Sequence, residues 1–93
     1  MVVGCLEITL RIPEAHSLKD KRNVVRSLKD RLRSKFNVSV AELGDLEKWQ
    51  TATLGFVAIG NDNRYVDGIL QGILRLIETY PEVEITGSRI EFL

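Results

Sequence analysis

The chain has 93 residues, of which 44% are hydrophobic and 28% charged, and its 13 Lys and Arg balance its 13 Asp and Glu. This length suits one apolar core, so we expect a single domain over residues 1–93, and the composition argues against both a disordered chain and a membrane protein. One Cys and one His can complete neither an internal disulfide nor a usual zinc site, so Cys5 and His16 are interpreted as a strand thiol and a loop imidazole.

The first predicted element is a strand from Val2 to Ile12, because apolar and polar residues alternate along it. Its start, V-V-G-C, has the small residues of a lipoprotein processing site, but no positively charged segment and no apolar run precede it. We therefore expect no export signal and a cytoplasmic protein.

The next predicted element is a helix over residues 18–36. Ser17, followed three residues later by Asp20, is a capping signal for its start. Its buried face is predicted from residues at helical spacing, namely Leu18, Val25, Leu28, Leu32 and Phe36. Eight basic residues minus two acidic ones give this helix a formal charge of +6, which leaves −6 on the remainder of the chain.

The second half of the chain repeats the alternation of strand and helix. Short and long strands are predicted over Val38–Leu43 and Trp49–Gly60, and a helix follows the caps at 60–63 and runs to about Tyr80. Pro81 ends that helix, and a last strand over Val83–Leu93 carries a bulge or bend near Gly87. Strand, helix, strand, strand, helix, strand predicts a ferredoxin-like α+β sandwich, with a four-stranded antiparallel sheet and both helices on one face.

Five basic residues of the first predicted helix recur at steps of 3, 4, 3 and 4 and form one row beside the buried face: Lys19, Arg22, Arg26, Lys29 and Arg33. We call this row the basic stripe, and at 1.5 Å per residue it is about 21 Å long. Like charges on adjacent turns repel, so helix formation does not require them. The stripe predicts a site for phosphates, most readily those of RNA. The alternative is a solvated surface, or one neutralised by Asp67 and Glu78 of the second helix.

Other residues favour structural over chemical roles. Trp49 can stack on a base or cap the core, and a lone indole at the start of a strand favours the core cap. The third strand, L-G-F-V-A-I at 54–59, lacks the basic residue and extra aromatics of an RNA-recognition motif, so base stacking on the sheet is not expected. Gly68 and Gly72 predict close approach of another helix.

No catalytic constellation is found in the sequence. There is no nucleophile elbow, phosphate loop, C-x-x-C pair or His and Glu set at metal spacing, and Glu42, Asp45 and Glu47 are interpreted as a solvated acidic turn. We therefore expect a non-enzymatic protein without metal or cofactor.

Several blocks resemble the YlxP-like family, small bacterial domains of unknown function: S-L-K-D-K-R at 17–22, R-L-R at 31–33, F-N-V-S-V-A-E at 36–42, W-Q-T-A at 49–52 and N-D at 61–62. The resemblance spans essentially the whole chain and implies a ferredoxin-like fold and a cytoplasmic protein. Members are often encoded among genes for translation factors and ribosome-binding factor A, so the resemblance implies a ribosome-associated role. It brings no established catalytic residues.

Two functional hypotheses follow. The first is an RNA- or ribosome-associated factor that binds phosphates through the basic stripe. The alternative is a homodimeric or protein-binding module that uses the open face of the sheet, with Glu7 and Arg11 as polar cross-strand partners. The residues expected on that face are Cys5, Thr9, Thr51, Thr53, Val57 and Ile59.

Overall fold

A computed structural model describes all of residues 1–93 and has six elements in the predicted order. They are β1 (Val2–Arg11), α1 (Leu18–Lys35), β2 (Ser39–Gly44), β3 (Thr51–Gly60), α2 (Asn63–Glu78) and β4 (Glu84–Phe92). The strands form one antiparallel sheet in the order β2-β3-β1-β4. This order and the two crossover helices confirm the ferredoxin-like α+β sandwich.

The core lies between the helices and the inner face of the sheet, as the periodicities predict. Along β1 and just beyond it, Leu6, Ile8, Leu10 and Ile12 are at most 1% exposed, whereas the residues between them face outward. α2 contributes a fully buried row at helical spacing, formed by Val66, Leu70, Ile73 and Ile77. The outer face of the sheet carries no helix.

Both helices begin at the predicted caps. Ser17 Oγ accepts a hydrogen bond from the Asp20 backbone N–H at 3.0 Å, and the Asp20 carboxylate accepts one from the His16 N–H at 3.0 Å. In α2, Asp62 accepts from the Tyr65 N–H at 2.8 Å. These bonds satisfy backbone donors that a helix start otherwise leaves free.

The prediction that Trp49 opens β3 and caps the core is wrong. β3 begins at Thr51, and the Trp49 side chain is 53% exposed. Gln50 closes that end of the sheet instead, because its Nε2 donates to the carbonyls of Pro13 at 3.0 Å and Ala15 at 3.1 Å. The Gln50 carbonyl also accepts from the Ile12 N–H at 2.8 Å.

The two helical glycines have different surroundings. A Cβ added to Gly72 would lie 2.9 Å from Cε1 of Phe36, so this glycine makes room for the ring that follows α1. A Cβ added to Gly68 would meet nothing within 4 Å. The predicted close approach is therefore correct in part at Gly72, where the neighbour is a ring rather than a helix backbone, and wrong at Gly68.

β4 contains the irregularity predicted near Gly87. Thr9 pairs with Gly87 and Leu10 pairs with Ile85, so Thr86 is an extra residue in β4, and its hydroxyl donates to the Thr9 carbonyl at 3.2 Å. Neither helix combines the length and the apolar composition that crossing a membrane would need.

Candidate nucleic-acid interface

The basic stripe lies on the outer surface of α1. Lys19, Arg22, Arg26 and Arg33 are exposed, and Lys29 is half-buried. The residues of α1 that enter the core are Lys21, Val25, Leu28 and Leu32. At 3.6 residues per turn, the centre of the stripe is about 110° around the helix from the centre of this buried face.

The stripe faces away from α2. Arg31 is about 160° around α1 from the centre of the stripe. Arg31 lines a shallow surface depression together with Thr79–Glu82, which follow α2. The stripe is thus on the side of α1 that faces the sheet edge formed by β2.

No side chain of the stripe belongs to an ion pair of the protein. The ion pairs of the protein join Lys21 to Glu42, Lys48 to Asp45 and Arg89 to Glu7. The alternative in which Asp67 and Glu78 of α2 neutralise the stripe is not realised, because neither carboxylate forms an ion pair with α1. The five cations are therefore available to an external anion.

Lys21 has a role that sequence reasoning missed. It belongs to the eight basic residues of the helix, yet it is 1% exposed. Its Nζ lies 3.0 Å from Oε2 of Glu42 and donates to the carbonyl of Asp45. Oε2 accepts no well-aligned hydrogen bond, so the contact with Glu42 is a charge pair rather than a directed bond. The sequence did contain a signal for this burial, because Lys21 is four residues before Val25 and seven before Leu28 and so shares their face of the helix.

This pair changes the charge available on the surface. Glu42, expected in a solvated acidic turn, has a side chain only 17% exposed, and it compensates Lys21 inside the protein. The solvated charge of α1 is then +5, from seven basic and two acidic residues. This net charge equals the number of cations in the stripe, because Asp20 and Asp30 balance Arg31 and Lys35 in number.

The turn between β2 and β3 is attached to the start of α1. Lys21 holds the carbonyl of Asp45, and Gln50 holds the loop that precedes the helix. Asp45 is the one residue other than glycine with a positive φ, 61°, a conformation that Asp tolerates better than most residues. Trp49 lies between these two anchors in the sequence and is exposed, and Leu46 of the same turn is 56% exposed.

The outer face of the sheet contains a second candidate surface. A depression of about 290 Å³ is lined by residues from all four strands, including Cys5, Gly55 and Arg89. Three apolar side chains beside or near it are well exposed, namely Leu43 at 55%, Val57 at 43% and Ile59 at 52%.

The other residues predicted for this face are less exposed to solvent than these three. Cys5, Thr9, Thr51 and Thr53 are half-buried. Of the two residues predicted as polar cross-strand partners, Glu7 pairs with Arg89 of β4 at 3.8 Å, because the two residues are opposite each other in the register. No three His, Cys, Asp or Glu side chains converge on a point where a metal ion would bind.

Two comparisons relate the chain to known proteins. The family model described as "Protein of unknown function (DUF503)" matches residues 3–90. The chain is also 35% identical over 91 residues to a Bacillus subtilis (strain 168) protein described as "Uncharacterized protein YlxP", and the match covers 98% of this chain and 99% of that protein.

Proposed function

This chain belongs to the DUF503 family, whose function is unknown and to which the YlxP-like resemblance pointed, and on that premise we propose that it is a non-enzymatic RNA-binding factor. It binds phosphates through Lys19, Arg22, Arg26, Lys29 and Arg33. Ribosomal RNA is the first target to test, because the family resemblance implies a ribosome-associated role.

The observation that carries the proposal is a row of five like charges without internal partners. Such a row costs the helix a few tenths of a kcal/mol for each repelling pair. An external polyanion removes that cost, since each phosphate accepts charge-assisted hydrogen bonds from Lys or Arg. The row is about 21 Å long and follows one straight flank, which suits a nucleic-acid backbone better than a single small anion.

A salt series tests this function. Binding to ribosomal subunits and to a structured RNA is measured at increasing salt concentration. If five phosphates are neutralised, the logarithm of the association constant falls against the logarithm of the salt concentration with a slope of roughly −3.5 to −4.5. The triple variant Arg22→Glu, Arg26→Glu, Arg33→Glu should lose this salt-sensitive binding.

A second triple variant controls for net charge. Arg31→Glu, Lys35→Glu and Arg75→Glu change the charge of the protein by the same amount but lie off the stripe. The control should keep most of the binding, and circular dichroism establishes that both variants fold. Equal loss in the two variants, or no binding of the wild type at low salt, would contradict the proposal.

The second candidate function is self-association through the outer face of the sheet. It is favoured by the exposed Leu43, Val57 and Ile59, since apolar side chains grouped on a sheet face are typical of contact surfaces. Sedimentation equilibrium with the wild type and with Val57→Lys tests it. A dimer that dissociates in the variant supports the candidate, and a monomeric wild type at micromolar concentration refutes a stable dimer.

A further inference from the structure

The indole of Trp49 is exposed on a well-anchored turn. It is the only tryptophan in the chain and 53% of it is accessible, although tryptophan is usually well buried. The adjacent Gln50 makes three hydrogen bonds to the β1–α1 segment, through Ile12, Pro13 and Ala15. The backbone next to Trp49 is thus held in place by Gln50.

These anchors join the turn that carries Trp49 to the start of α1. Ala15 precedes the start of α1 by three residues, and Lys19 is the first member of the stripe. At the other end of the turn, the Asp45 carbonyl is held by Lys21, which is also in the first turns of α1. The turn that carries the indole is therefore attached to the first turn of α1, where the row of cations begins.

An exposed aromatic ring beside a row of cations has a specific chemical preference. Every nucleobase has a π-face that can stack on an indole, and a positively charged track beside such a ring is typical of sites for single-stranded nucleic acid. In a duplex those faces are already covered by neighbouring bases. The other exposed aromatic side chains are Tyr65 at the start of α2 and Phe92 at the end of β4, so Trp49 is the exposed ring on the turn attached to α1.

We propose that the stripe binds single-stranded RNA and that one base at the Lys19 end stacks on Trp49, while the phosphates that follow run toward Arg33. This inference rests on the proposed function and adds to it the class of RNA and the residue that contacts a base.

Intrinsic fluorescence tests the inference directly, because Trp49 is the sole indole. The wild-type protein is titrated at low salt with a short oligouridine and, separately, with a blunt RNA duplex of the same length. Tryptophan emission and the anisotropy of labelled RNA are recorded together. With the single strand, the emission should change with the same midpoint as the anisotropy, and the duplex should bind more weakly and leave the emission nearly unchanged.

Two substitutions at Trp49 and one nearby control refine the test. Trp49→Ala should weaken binding of the single strand by roughly 5- to 100-fold, the range expected for the loss of one stacked base. Trp49→Phe keeps an aromatic face and should retain most of the affinity. Leu46→Ala removes an equally exposed apolar side chain from the same turn and should have little effect.

The outcomes separate this inference from the proposed function. Binding that requires the stripe, but leaves the emission and the Trp49→Ala affinity unchanged, overturns the stacking and preserves the RNA-binding function. Equal binding of the duplex overturns the preference for a single strand. Emission that changes with protein concentration in the absence of RNA assigns the indole to a protein contact and also overturns the inference. If neither RNA binds, both proposals fail.

Discussion

Nζ of Lys21 lies 3.0 Å from Oε2 of Glu42, and this contact joins the core face of α1 to the inner face of the edge strand β2. The ammonium group is withdrawn from water, and its second partner is the carbonyl of Asp45 in the β2–β3 turn. A buried ammonium without an anion is strongly unfavourable. Each charge of the pair is therefore needed to compensate the other inside the protein.

A double-mutant cycle on this pair should show strong coupling. Lys21→Met and Glu42→Leu should each lower the free energy of unfolding by about 3 kcal/mol, because each leaves one charge without its partner in the interior. The double variant should recover most of that loss, since two apolar side chains replace both charges. Urea unfolding followed by circular dichroism measures all four proteins, and additive losses would show that the two side chains act independently.

The helical glycines should respond oppositely to alanine. Gly68→Ala should raise the free energy of unfolding by about 1 kcal/mol, because the helix gains propensity and the added methyl group meets no neighbour. Gly72→Ala should give no gain or a loss, because its Cβ would lie 2.9 Å from the ring of Phe36. Thermal unfolding compares the two, and an equal gain at both sites would mean that the Phe36 ring moves aside freely.

The N-terminal cap of α1 should contribute measurably to stability. Ser17→Ala should lower the free energy of unfolding by about 1 kcal/mol, because the Asp20 N–H loses its acceptor. Ser34→Ala is the matched control, since its hydroxyl donates to the Arg31 carbonyl within the same helix and caps nothing. A control as destabilised as Ser17→Ala would argue against the cap as the cause.

Removing a charge from the stripe should stabilise the protein and weaken its binding to RNA. At low salt, Arg26→Gln should raise the melting temperature slightly, because it removes repulsion on two sides worth a few tenths of a kcal/mol per pair. The same change should weaken RNA binding. Added salt should raise the melting temperature of the wild type more than that of the variant, since screening relieves the repulsion. Melting temperatures that change equally with salt would show that the repulsion is negligible.

Much of the fold was predictable because its signals are local. The alternation of Leu6, Ile8 and Leu10 marks a strand with one buried face, and Ser17 and Asp62 carry caps that act within three residues. Pro81 ends α2 for a steric reason that does not depend on the rest of the chain. The topology then follows from the order of elements and the handedness of crossovers.

The candidate site was harder to predict because its decisive contacts are distant in sequence. Lys21 and Glu42 are separated by a helix and a loop, and only the packing of α1 on β2 brings them together. Whether Trp49 or Gln50 closes the end of the sheet depends on carbonyls 35 and 37 residues earlier in the chain. The direction in which the stripe faces depends on the placement of α2, which periodicity alone does not determine.

The position of Glu42 also has a consequence for which strand pairing the chain can adopt. Residues alternate along β2, with Val40 and Glu42 facing inward and Ala41 and Leu43 facing outward, so both faces are partly apolar. A slip of one residue would exchange the faces at little hydrophobic cost and would carry the carboxylate out to solvent. Lys21 would then remain in the core without a counter-charge. The ion pair therefore selects one register for an edge strand that hydrophobic patterning would leave nearly free to misalign.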